Sequence, residues 1–366
     1  MDIKTSIKHR DMERLREYRD HLIKNPRLTY LFLELTNRCN LSCLHCGSSC
    51  AGSNQIDMDT ELLFRTLGTV AEDFDPESVM ICLSGGEPML HRDFFKICGK
   101  IVQSGFPWGM TTNGMLIGAK EAHALKELGI GSITVSLDGM KGSHDWLRDR
   151  PGSFERTSEG IRFLIREGIP VQVTTVIHRG NLSELNDIYE YVAALGADSW
   201  RVINIEPIGR ALQNKDLLLS QEELLSLLGW IRQKRFSRDT AIDVRYGCSH
   251  YLSYDLEREV RDNYFLCGSG IYVGSILCNG DIYSCLDIER RPELIQGNIK
   301  TDRFSEVWRH KFREFRRDRT ESCEECRQCP ERGFCGGDSA HTWDYGQNRP
   351  KFCILRKGDE RICTKR

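Results

Sequence analysis

Three cysteines lie within the eight residues of CNLSCLHC, as Cys39, Cys43 and Cys46, and no fourth cysteine continues their spacing. Thiolates bind zinc and iron–sulfur clusters, and a site with three protein ligands keeps one coordination position open. Zinc enzymes with an open position use sets rich in histidine, whereas thiolates alone at this spacing favour an iron–sulfur cluster. The stretch therefore predicts a cluster in which one iron accepts a ligand that is not part of the protein.

A second group of cysteines lies in the last hundred residues. Its members are Cys267, Cys278, Cys285, Cys323, Cys326, Cys329, Cys335 and Cys353. A chain of 366 residues in a reducing compartment does not need disulfides for stability, so its 16 cysteines are better explained by metal binding. The sequence ILCNGDIYSC predicts a hairpin with Asn279-Gly280 at its turn, whose strand pairing would bring Cys278 and Cys285 together. The remaining cysteines are expected to be small buried hydrophobic residues; they are Cys50, Cys82, Cys98, Cys248 and Cys363.

The composition indicates a soluble protein without a polyanionic partner. Lysine and arginine total 51 against 53 aspartates and glutamates, so no net field favours nucleic acid or an anionic membrane. No apolar run approaches the roughly 18 residues of a membrane-spanning helix, and the N-terminus is too charged for a signal peptide. We therefore expect a cytoplasmic protein that binds neither nucleic acid nor membrane. With 40% apolar residues, the chain is long enough for one large domain and a smaller module.

Between the two cysteine groups, strand-like and helix-like patterns alternate. Apolar, β-rich runs predict strands at 28–35, 78–83, 106–112, 132–137, 171–177 and 199–205. Helical periodicity separates them at 58–71, 92–104, 118–128, 153–167 and 182–195, and Ser220 with Glu223 forms a capping box before a further helix. This alternation predicts an α/β fold, a partial (β/α)6 barrel with reactive groups on loops at the C-terminal ends of its strands. An amphipathic helix is predicted before it, with Met12, Leu15, Leu22 and Ile23 on one stripe.

A CxxxCxxC motif directly after the first strand of such a barrel resembles the radical S-adenosylmethionine (radical SAM) superfamily. The resemblance implies that Cys39, Cys43 and Cys46 hold a 4Fe-4S cluster. It also implies that the amino and carboxylate groups of S-adenosylmethionine (SAM) chelate the fourth iron. In that family one electron cleaves SAM to methionine and a 5′-deoxyadenosyl radical, which abstracts a hydrogen atom from the substrate. The open coordination position would thus belong to the cosubstrate.

Further motifs resemble the cosubstrate-binding elements of that family. SGGEP follows the second strand, TTNG the third and SLDG the fourth, and PIGRA (207–211) resembles the segment that flanks adenine. The resemblance assigns to cofactor binding His45, Gly85, Gly86, Glu87, Pro88, Asn113, Ser136, Asp138 and Arg148. Glu87 would hold the turn or the SAM ammonium, while Ser136 and Asp138 suit ribose hydroxyls or the ammonium. His45 replaces the usual aromatic residue beside adenine, Arg148 would reach the SAM carboxylate, and Arg150 is expected on the surface.

The C-terminal cysteines resemble the SPASM extension, which houses two auxiliary iron–sulfur clusters. The resemblance implies an outer cluster on Cys326, Cys329, Cys335 and Cys353, and an inner one on Cys267, Cys278 and Cys285. The family pattern has another cysteine four positions after Cys335, which this chain lacks. Asp338 or Cys323 could replace that thiolate, or one iron could stay open to substrate. A ferredoxin-like register beginning at Cys323, and zinc in place of either auxiliary cluster, remain alternatives.

Several functions are compatible with these motifs. We expect a helix at 1–26, a barrel at 27–240 and a SPASM-like domain at 241–366. The expected enzyme oxidatively modifies a ribosomally made peptide, for example by forming a thioether or a carbon–carbon crosslink. The alternatives are a sulfatase-type protein maturase, for which Asp287 lies one position late after Cys285, and an oxidase of a tetrapyrrole or aminosugar. A protein that only transfers electrons, or a binding protein stabilised by zinc, would not need the SGGEP and SLDG motifs, so these motifs argue against a non-enzymatic role. An expected partner is a one-electron reductant of flavodoxin or ferredoxin type. Because only 38 residues precede Cys39, a leader peptide is expected to be bound either by a separate protein or by loops of the barrel.

Overall fold

The computed structural model describes residues 3–356 except 51, 53, 239, 248 and 249, so Cys248 and Cys363 lie outside the described residues. The strands are β1 Tyr30–Glu34, β2 Met80–Ser84, β3 Trp108–Thr112, β4 Ser132–Ser136, β5 Val171–Ile177, β6 Ser199–Asn204, β7 Asp243–Tyr246, β8 Val273–Ile276, β9 Asp281–Tyr283, β10 Gly297–Asn298, β11 Trp343–Asp344 and β12 Arg349–Pro350. The helices are α1 Ile3–Lys24, α2 Thr60–Asp73, α3 Phe94–Gln103, α4 Ala119–Glu127, α5 Lys141–Arg148, α6 Ser153–Arg166, α7 Leu185–Leu195, α8 Gln221–Arg235, α9 Tyr254–Val260, α10 Phe304–His310, α11 Arg313–Arg316, α12 Glu324–Arg327 and α13 Arg332–Cys335.

The main sheet confirms the predicted α/β fold. Its strand order is β10-β9-β8-β1-β2-β3-β4-β5-β6-β7, and strands β1 to β7 are parallel neighbours. The register pairs Glu34 with Ser84 and Thr112 with Val135, so the C-terminal ends of these strands meet at one edge. The sheet stays open between β7 and β10, which makes it a partial barrel.

Local sequence explains why the helices cover this sheet. Asp59 caps α2 by accepting a hydrogen bond from Leu62 N at 2.7 Å, and the predicted Ser220–Glu223 capping box starts α8. The strands bury their inward side chains completely, as Leu33 and Leu83 do. These residues form one continuous core under the edge that carries the motifs.

Two features of the sheet were not expected. β7 extends the barrel although it lies beyond residue 240, and β8 pairs in parallel with β1 through Tyr30↔Val273 to Leu33↔Ile276. The C-terminal part therefore shares its sheet with the barrel. The N-terminal helix also docks onto it, since Arg19 Nη1 lies 3.4 Å from Phe334 O.

The hairpin prediction was correct, but its consequence for the thiols was wrong. β8 and β9 pair antiparallel, with Gly280 at a φ of 94° in the turn, a backbone conformation that favours glycine. Because the register pairs Ile276 with Ile282, Cys278 lies in the turn itself, whereas Cys285 lies beyond the end of β9. Strand pairing does not place these two thiols opposite each other.

Within the described residues, every helix is too short or too polar to cross a bilayer.

Candidate active site and cluster-binding region

A cavity of about 190 Å³ lies at the C-terminal ends of the first barrel strands. It brings together most of the residues assigned to cluster and cosubstrate. Its lining includes Cys39, Cys43, His45, Cys46, Cys50, Gly85, Gly86, Asn113, Ser136, Arg148, Arg210 and Asp287. The cysteine loop, SGGEP and TTNG follow three different strands, and the fold brings all three loops to this cavity. Glu87, Pro88 and Asp138 do not line this cavity.

The turn of SGGEP is built by close backbone contact with the cysteine loop. Gly86 N donates to Thr36 O at 2.8 Å and Glu87 N donates to Arg38 O at 2.8 Å. A Cβ atom on Gly86 would lie 2.1 Å from Arg38 O and 3.0 Å from the Cβ of Cys39. Only glycine fits this approach, so the turn and the first cysteine are positioned together.

Glu87 holds the turn, which is one of the two roles expected for it. Its buried carboxylate accepts hydrogen bonds from Thr112 Oγ1 and Asn113 N, each at 2.9 Å. Burial raises the pKa of Glu87 from its ordinary value of 4.5 to about 7. Asn113 continues this link, because its Nδ2 donates to Asn40 Oδ1 at 2.7 Å beside the cysteine loop. Pro88 begins the short 3₁₀ turn that follows Glu87.

The surroundings of Asp138 differ from the expectation that it contacts SAM. Its fully buried carboxylate accepts a hydrogen bond from Val176 N at 2.9 Å and lies 2.5 Å from Arg148 Nη2. Burial opposes ionisation, but Arg148 and His45 outweigh it and lower the pKa of Asp138. Asp138 therefore anchors Arg148, while Ser136 of the same motif lines the cavity.

Arg148 and His45 leave polar atoms in position for a ligand. Arg148 Nη1 lies 3.5 Å from the Cys43 thiol, and its buried Nε has no protein partner. His45 Nδ1 is likewise buried without a partner, and burial lowers the pKa of His45 to about 4, so its ring is neutral. Thiols on one wall and unpaired nitrogens beside them fit a 4Fe-4S cluster and the carboxylate and adenine of SAM.

The PIGRA segment contacts the cysteine loop, a role that the sequence did not indicate. Arg210 Nε donates to Cys43 O at 2.7 Å, and its Nη1 donates to Cys50 O at 2.5 Å. The Arg210 backbone N donates to Cys46 O at 3.0 Å. Gly209, at a φ of 56°, permits this contact because a Cβ there would lie 2.4 Å from Cys46 O. We call this arrangement the Arg210 clamp.

A second cavity, of about 220 Å³, collects the four cysteines expected for the outer cluster. They are Cys326, Cys329, Cys335 and Cys353. Backbone N of Asp338 lies 3.2 Å from the Cys335 sulfur, as amides do that donate to cluster thiolates. Cys323 lies beside this set, buried against Cys326 and Trp343, and its thiol donates to Glu325 Oε2 at 3.3 Å.

Asp338 lines the second cavity, and its carboxylate is held by Tyr251 and His250. Its Oδ1 accepts from Tyr251 N at 2.8 Å, and its Oδ2 lies 3.4 Å from His250 Nδ1. His250 Nε2 lies 3.0 Å from Glu206 Oε1. Burial disfavours the imidazolium, but the two carboxylates outweigh it and raise the pKa of His250 to about 10. The position of the absent family cysteine is occupied by Ser339, whose hydroxyl pairs with Thr342.

Two of the three cysteines expected for the inner cluster have different hydrogen-bond partners. Cys267 Sγ accepts a hydrogen bond from Ala340 N at 3.3 Å, while the Cys278 thiol donates to Glu34 Oε1 at 3.1 Å. Leu286 and Asp287, which follow Cys285, line the first cavity. Among the residues that the structure describes, no three His, Cys, Asp or Glu side chains converge as the ligands of a single metal ion would. The inner ligand set remains a prediction.

Residues 33–192 match the family model described as the radical SAM superfamily. The chain belongs to this superfamily of enzymes. Residues 267–330 match the model of the SPASM iron–sulfur cluster-binding domain, so it belongs to the members with that domain. It accordingly uses a 4Fe-4S cluster and SAM, together with auxiliary iron–sulfur clusters.

Curated relatives have several different names. The chain is 29% identical over 309 residues to the AdoMet-dependent heme synthase of Oleidesulfovibrio alaskensis, covering 80% of this chain and 77% of the relative. It is 31% identical over 279 residues to the sporulation killing factor maturation protein SkfB of Bacillus subtilis, covering 75% and 63%. It is 34% identical over 217 residues to a probable GTP 3′,8-cyclase of Saccharolobus islandicus, covering 56% and 68%.

Solved structures of SPASM enzymes share the fold. Streptococcus suis SuiB bound to SAM superposes with a TM-score of 0.70 at 16% identity, covering 85% of this chain and 73% of SuiB. The enzyme anSMEcpe with bound SAM gives a TM-score of 0.69 at 19% identity, covering 87% of both chains. At these identities the likeness concerns the fold.

Proposed function

We propose that the enzyme performs a net oxidation at a carbon atom of a ribosomally made peptide, forming a thioether or a carbon–carbon crosslink. Asp287 carries the proposal, because it is the carboxylate among the described residues that line the cavity beside Cys39, Cys43 and Cys46. Forming such a bond removes two hydrogens from the substrate. One leaves as a hydrogen atom, and the other leaves as a proton for which Asp287 is the acceptor.

When bound, SAM supplies the radical that removes the hydrogen atom, and an auxiliary cluster supplies an acceptor for the remaining electron. The protein residues position and deprotonate the substrate. Arg148 is held by Asp138, the Arg210 clamp fixes the cysteine loop, and Asp287 lines the same cavity as the cysteines. Oxidation rather than isomerisation is favoured because a proton acceptor and a second thiol-lined cavity occur in one chain.

The charge of the cavity supports a peptide. Its cationic lining residues, Arg148 and Arg210, are engaged by Asp138 and by backbone carbonyls, and in this proposal the remaining unpaired Nε of Arg148 serves the SAM carboxylate. A substrate with several carboxylates would therefore meet Asp287 without a free cation to balance it. The likeness to SkfB, which is named a maturation protein, and to SuiB, which has been solved with its precursor peptide SuiA, points the same way.

Replacing Asp287 tests this proposal. In anaerobically reconstituted Asp287→Asn with dithionite, we expect 5′-deoxyadenosine to form as in wild type, while crosslinked product falls by about 10²-fold or more, the usual contribution of a catalytic base. Short cysteine-containing peptides encoded near the gene serve as substrates, and mass spectrometry measures the loss of two hydrogens. Glu293→Gln, an exposed carboxylate in the same segment, is the matched control. Unchanged product formation by Asp287→Asn would contradict the proposal.

A second candidate is oxidation of a tetrapyrrole side chain. It is favoured by the relatives named heme synthase, one of which aligns over 91% of this chain and 97% of its own length. Iron coproporphyrin III is the probe, and chromatography of the pigment gives the result. Conversion of this pigment without modification of any peptide would replace the first proposal by the second.

A further inference from the structure

A third cavity lies at the opposite end of the sheet from the active site. Its volume is about 890 Å³, against about 190 Å³ for the first cavity. Thr29 and Tyr30, at the N-terminal start of β1, lie in its lining. Helix α1 forms one wall, with Leu15 and Tyr18, and residues from the segment 251–272 form another. We call this cavity the α1 groove, and neither the cluster motifs nor the proposed reaction accounts for it.

The lining of the α1 groove is rich in tyrosine. Tyr251 Oη donates to Glu331 Oε2 at 2.6 Å and Tyr254 Oη donates to Asp11 Oδ2 at 2.9 Å, so their polar tips are bonded and their rings offer apolar surface. The rings of Tyr18 and Tyr30 are 58% and 41% exposed. Tyrosine and arginine are enriched where proteins bind other polypeptides. The lining therefore fits a polypeptide better than a small metabolite.

The charges of the α1 groove favour an acidic polypeptide. Arg258 on α9 is exposed, and no carboxylate among the described residues forms an ion pair with it. Arg27 is also exposed and donates to a serine hydroxyl at 3.3 Å, again without an ion pair in the described part of the chain. Within the described lining the single carboxylate is Asp262, which is bound by Arg235 at 2.7 Å and by Arg245 at 2.6 Å. An occupant with carboxylates would complement the two remaining cations.

The position of the α1 groove fits a part of the substrate that is remote from the reacting residue. The five residues of β1 separate the groove from the loops of the first cavity by about 15 Å. A peptide that passes over the surface between the two cavities covers roughly 25–30 Å, or about eight extended residues. A groove between a helix and a loop segment admits a single chain, whereas a folded electron carrier presents a broad surface.

We propose that the α1 groove binds the leader segment of the precursor peptide, with apolar side chains against Tyr18 and Tyr30 and carboxylates against Arg27 and Arg258. This inference rests on the proposed function and names where that substrate is held. The enzyme itself, rather than a separate protein or loops of the barrel, then binds the leader. Binding of the leader raises the local concentration of the reacting segment at the first cavity and takes no part in the chemistry.

Peptide affinity is the first measurement. Short cysteine-containing peptides encoded near the gene are labelled with fluorescein at the C-terminus, and their anisotropy is measured with the full-length, anaerobically reconstituted enzyme. We expect the double variant Arg27→Glu/Arg258→Glu to raise the Kd at least tenfold at low salt, and Tyr18→Ala to raise it about fivefold or more. Arg258→Lys, which keeps the charge, should bind as wild type. Arg65→Glu, a charge reversal at an exposed position of α2, is the matched control and should leave the Kd unchanged.

Modification of the peptide is the second measurement, and it separates leader binding from the reaction. For the full-length peptide, the double variant should raise KM and leave kcat unchanged, because the groove does not touch the reacting residue. A peptide without its N-terminal half should be modified equally by wild type and by the double variant. Shortening the spacer to fewer than about eight residues should abolish modification without changing the Kd.

The results distinguish this inference from the proposed function. Equal affinity of wild type and the double variant for every peptide would overturn the inference, and so would full affinity of the C-terminal half alone. If the double variant binds peptides normally but is reduced more slowly by reduced flavodoxin, the α1 groove holds the electron carrier and the inference is wrong. If binding depends on Arg27 and Arg258 but wild type modifies no peptide, the binding site stands and the proposed reaction fails.

Discussion

Arg148 is a buried cation whose partners are a carboxylate and a ligand thiol. Its Nη2 lies 2.5 Å from Asp138 Oδ2, and Asp138 is itself fully buried. Removing one member of a buried pair leaves the other charge uncompensated, which costs about 3–5 kcal/mol. The interaction is therefore structural, and it leaves Arg148 Nε unpaired beside the cysteine loop.

We expect Arg148→Gln to lower the free energy of unfolding by about 3–5 kcal/mol and to weaken SAM binding. Chemical denaturation of the cluster-free protein measures the first effect, and equilibrium dialysis of the reconstituted protein measures the second. Arg150→Gln, an exposed neighbour, is the control and should change stability by less than about 0.5 kcal/mol. A stable Arg148→Gln protein would show that Asp138 is compensated in another way.

Glu87 gives the protein a specific dependence on pH. Its pKa is about 7 in the folded state against an ordinary 4.5, so the folded state binds the proton more tightly than the unfolded state. Stability should accordingly fall as pH rises from about 4.5 to 7 and then level off, by an amount on the order of 3 kcal/mol. Urea titrations of the cluster-free protein across this range measure the fall. Glu87→Gln should remove it, whereas Glu222→Gln on the surface of α8 should not.

At the scale of secondary-structure elements, the turn after β2 determines where the cysteine loop can lie. Gly86 touches Arg38 O and the Cys39 side chain, whereas a methyl group added to Gly99 in α3 would point into open space. We expect Gly86→Ala to displace the loop and reduce bound iron and sulfide of the reconstituted protein at least severalfold. Gly99→Ala should keep full iron and gain roughly 0.5–1 kcal/mol of stability, because alanine favours the helix interior. Full cluster content in Gly86→Ala would show that the loop can shift without losing iron.

The sequence predicted some of these elements correctly and missed others, and the difference has a physical reason. Local signals such as the Ser220–Glu223 box and the Asn279-Gly280 turn depend on neighbouring residues, so they were read correctly. α5 was missed because its sequence, KGSHDWLR, has few apolar residues and buries His144 and Arg148 instead. The pairing of Asp138 with Arg148 depends on how α5 packs after β4, and no pattern along the chain encodes that contact.

The site was predictable where motifs coincide with strand ends. CxxxCxxC, SGGEP and TTNG each follow a parallel strand, and parallel strands bring such loops together. The place of Cys50 in the cavity and the contact of Arg210 with the cysteine loop were not predicted, because they depend on a left-handed turn and on a contact between distant loops. Asp287 was noted only as lying one position late for a sulfatase-type base, and its place in the cavity depends on the path of the chain after β9. The general fold and cofactors thus follow from sequence, while the groups that adjust the chemistry require coordinates.

At the scale of the whole molecule, the continuous sheet unites the two cluster-binding regions. β8 joins β1 directly, and Arg303 before α10 contacts Asp73 of α2 at 2.5 Å. The Cys278 thiol reaches Glu34 of β1 at 3.1 Å, and Arg290 Nη2 lies 2.5 Å from the other oxygen of the same carboxylate. Barrel and SPASM domain are therefore expected to keep a fixed separation between their clusters.

The pairing of β8 with β1 also affects how the chain matures during translation. β1 is synthesised early, whereas the strand that pairs with one of its edges, Val273–Ile276, is synthesised much later. At a translation rate of roughly 5–20 residues per second, this edge of β1 stays without its hydrogen-bonding partner for tens of seconds. Unpaired strand edges pair with other extended segments, so we expect the newly made chain to be prone to aggregation until Val273–Ile276 has been synthesised.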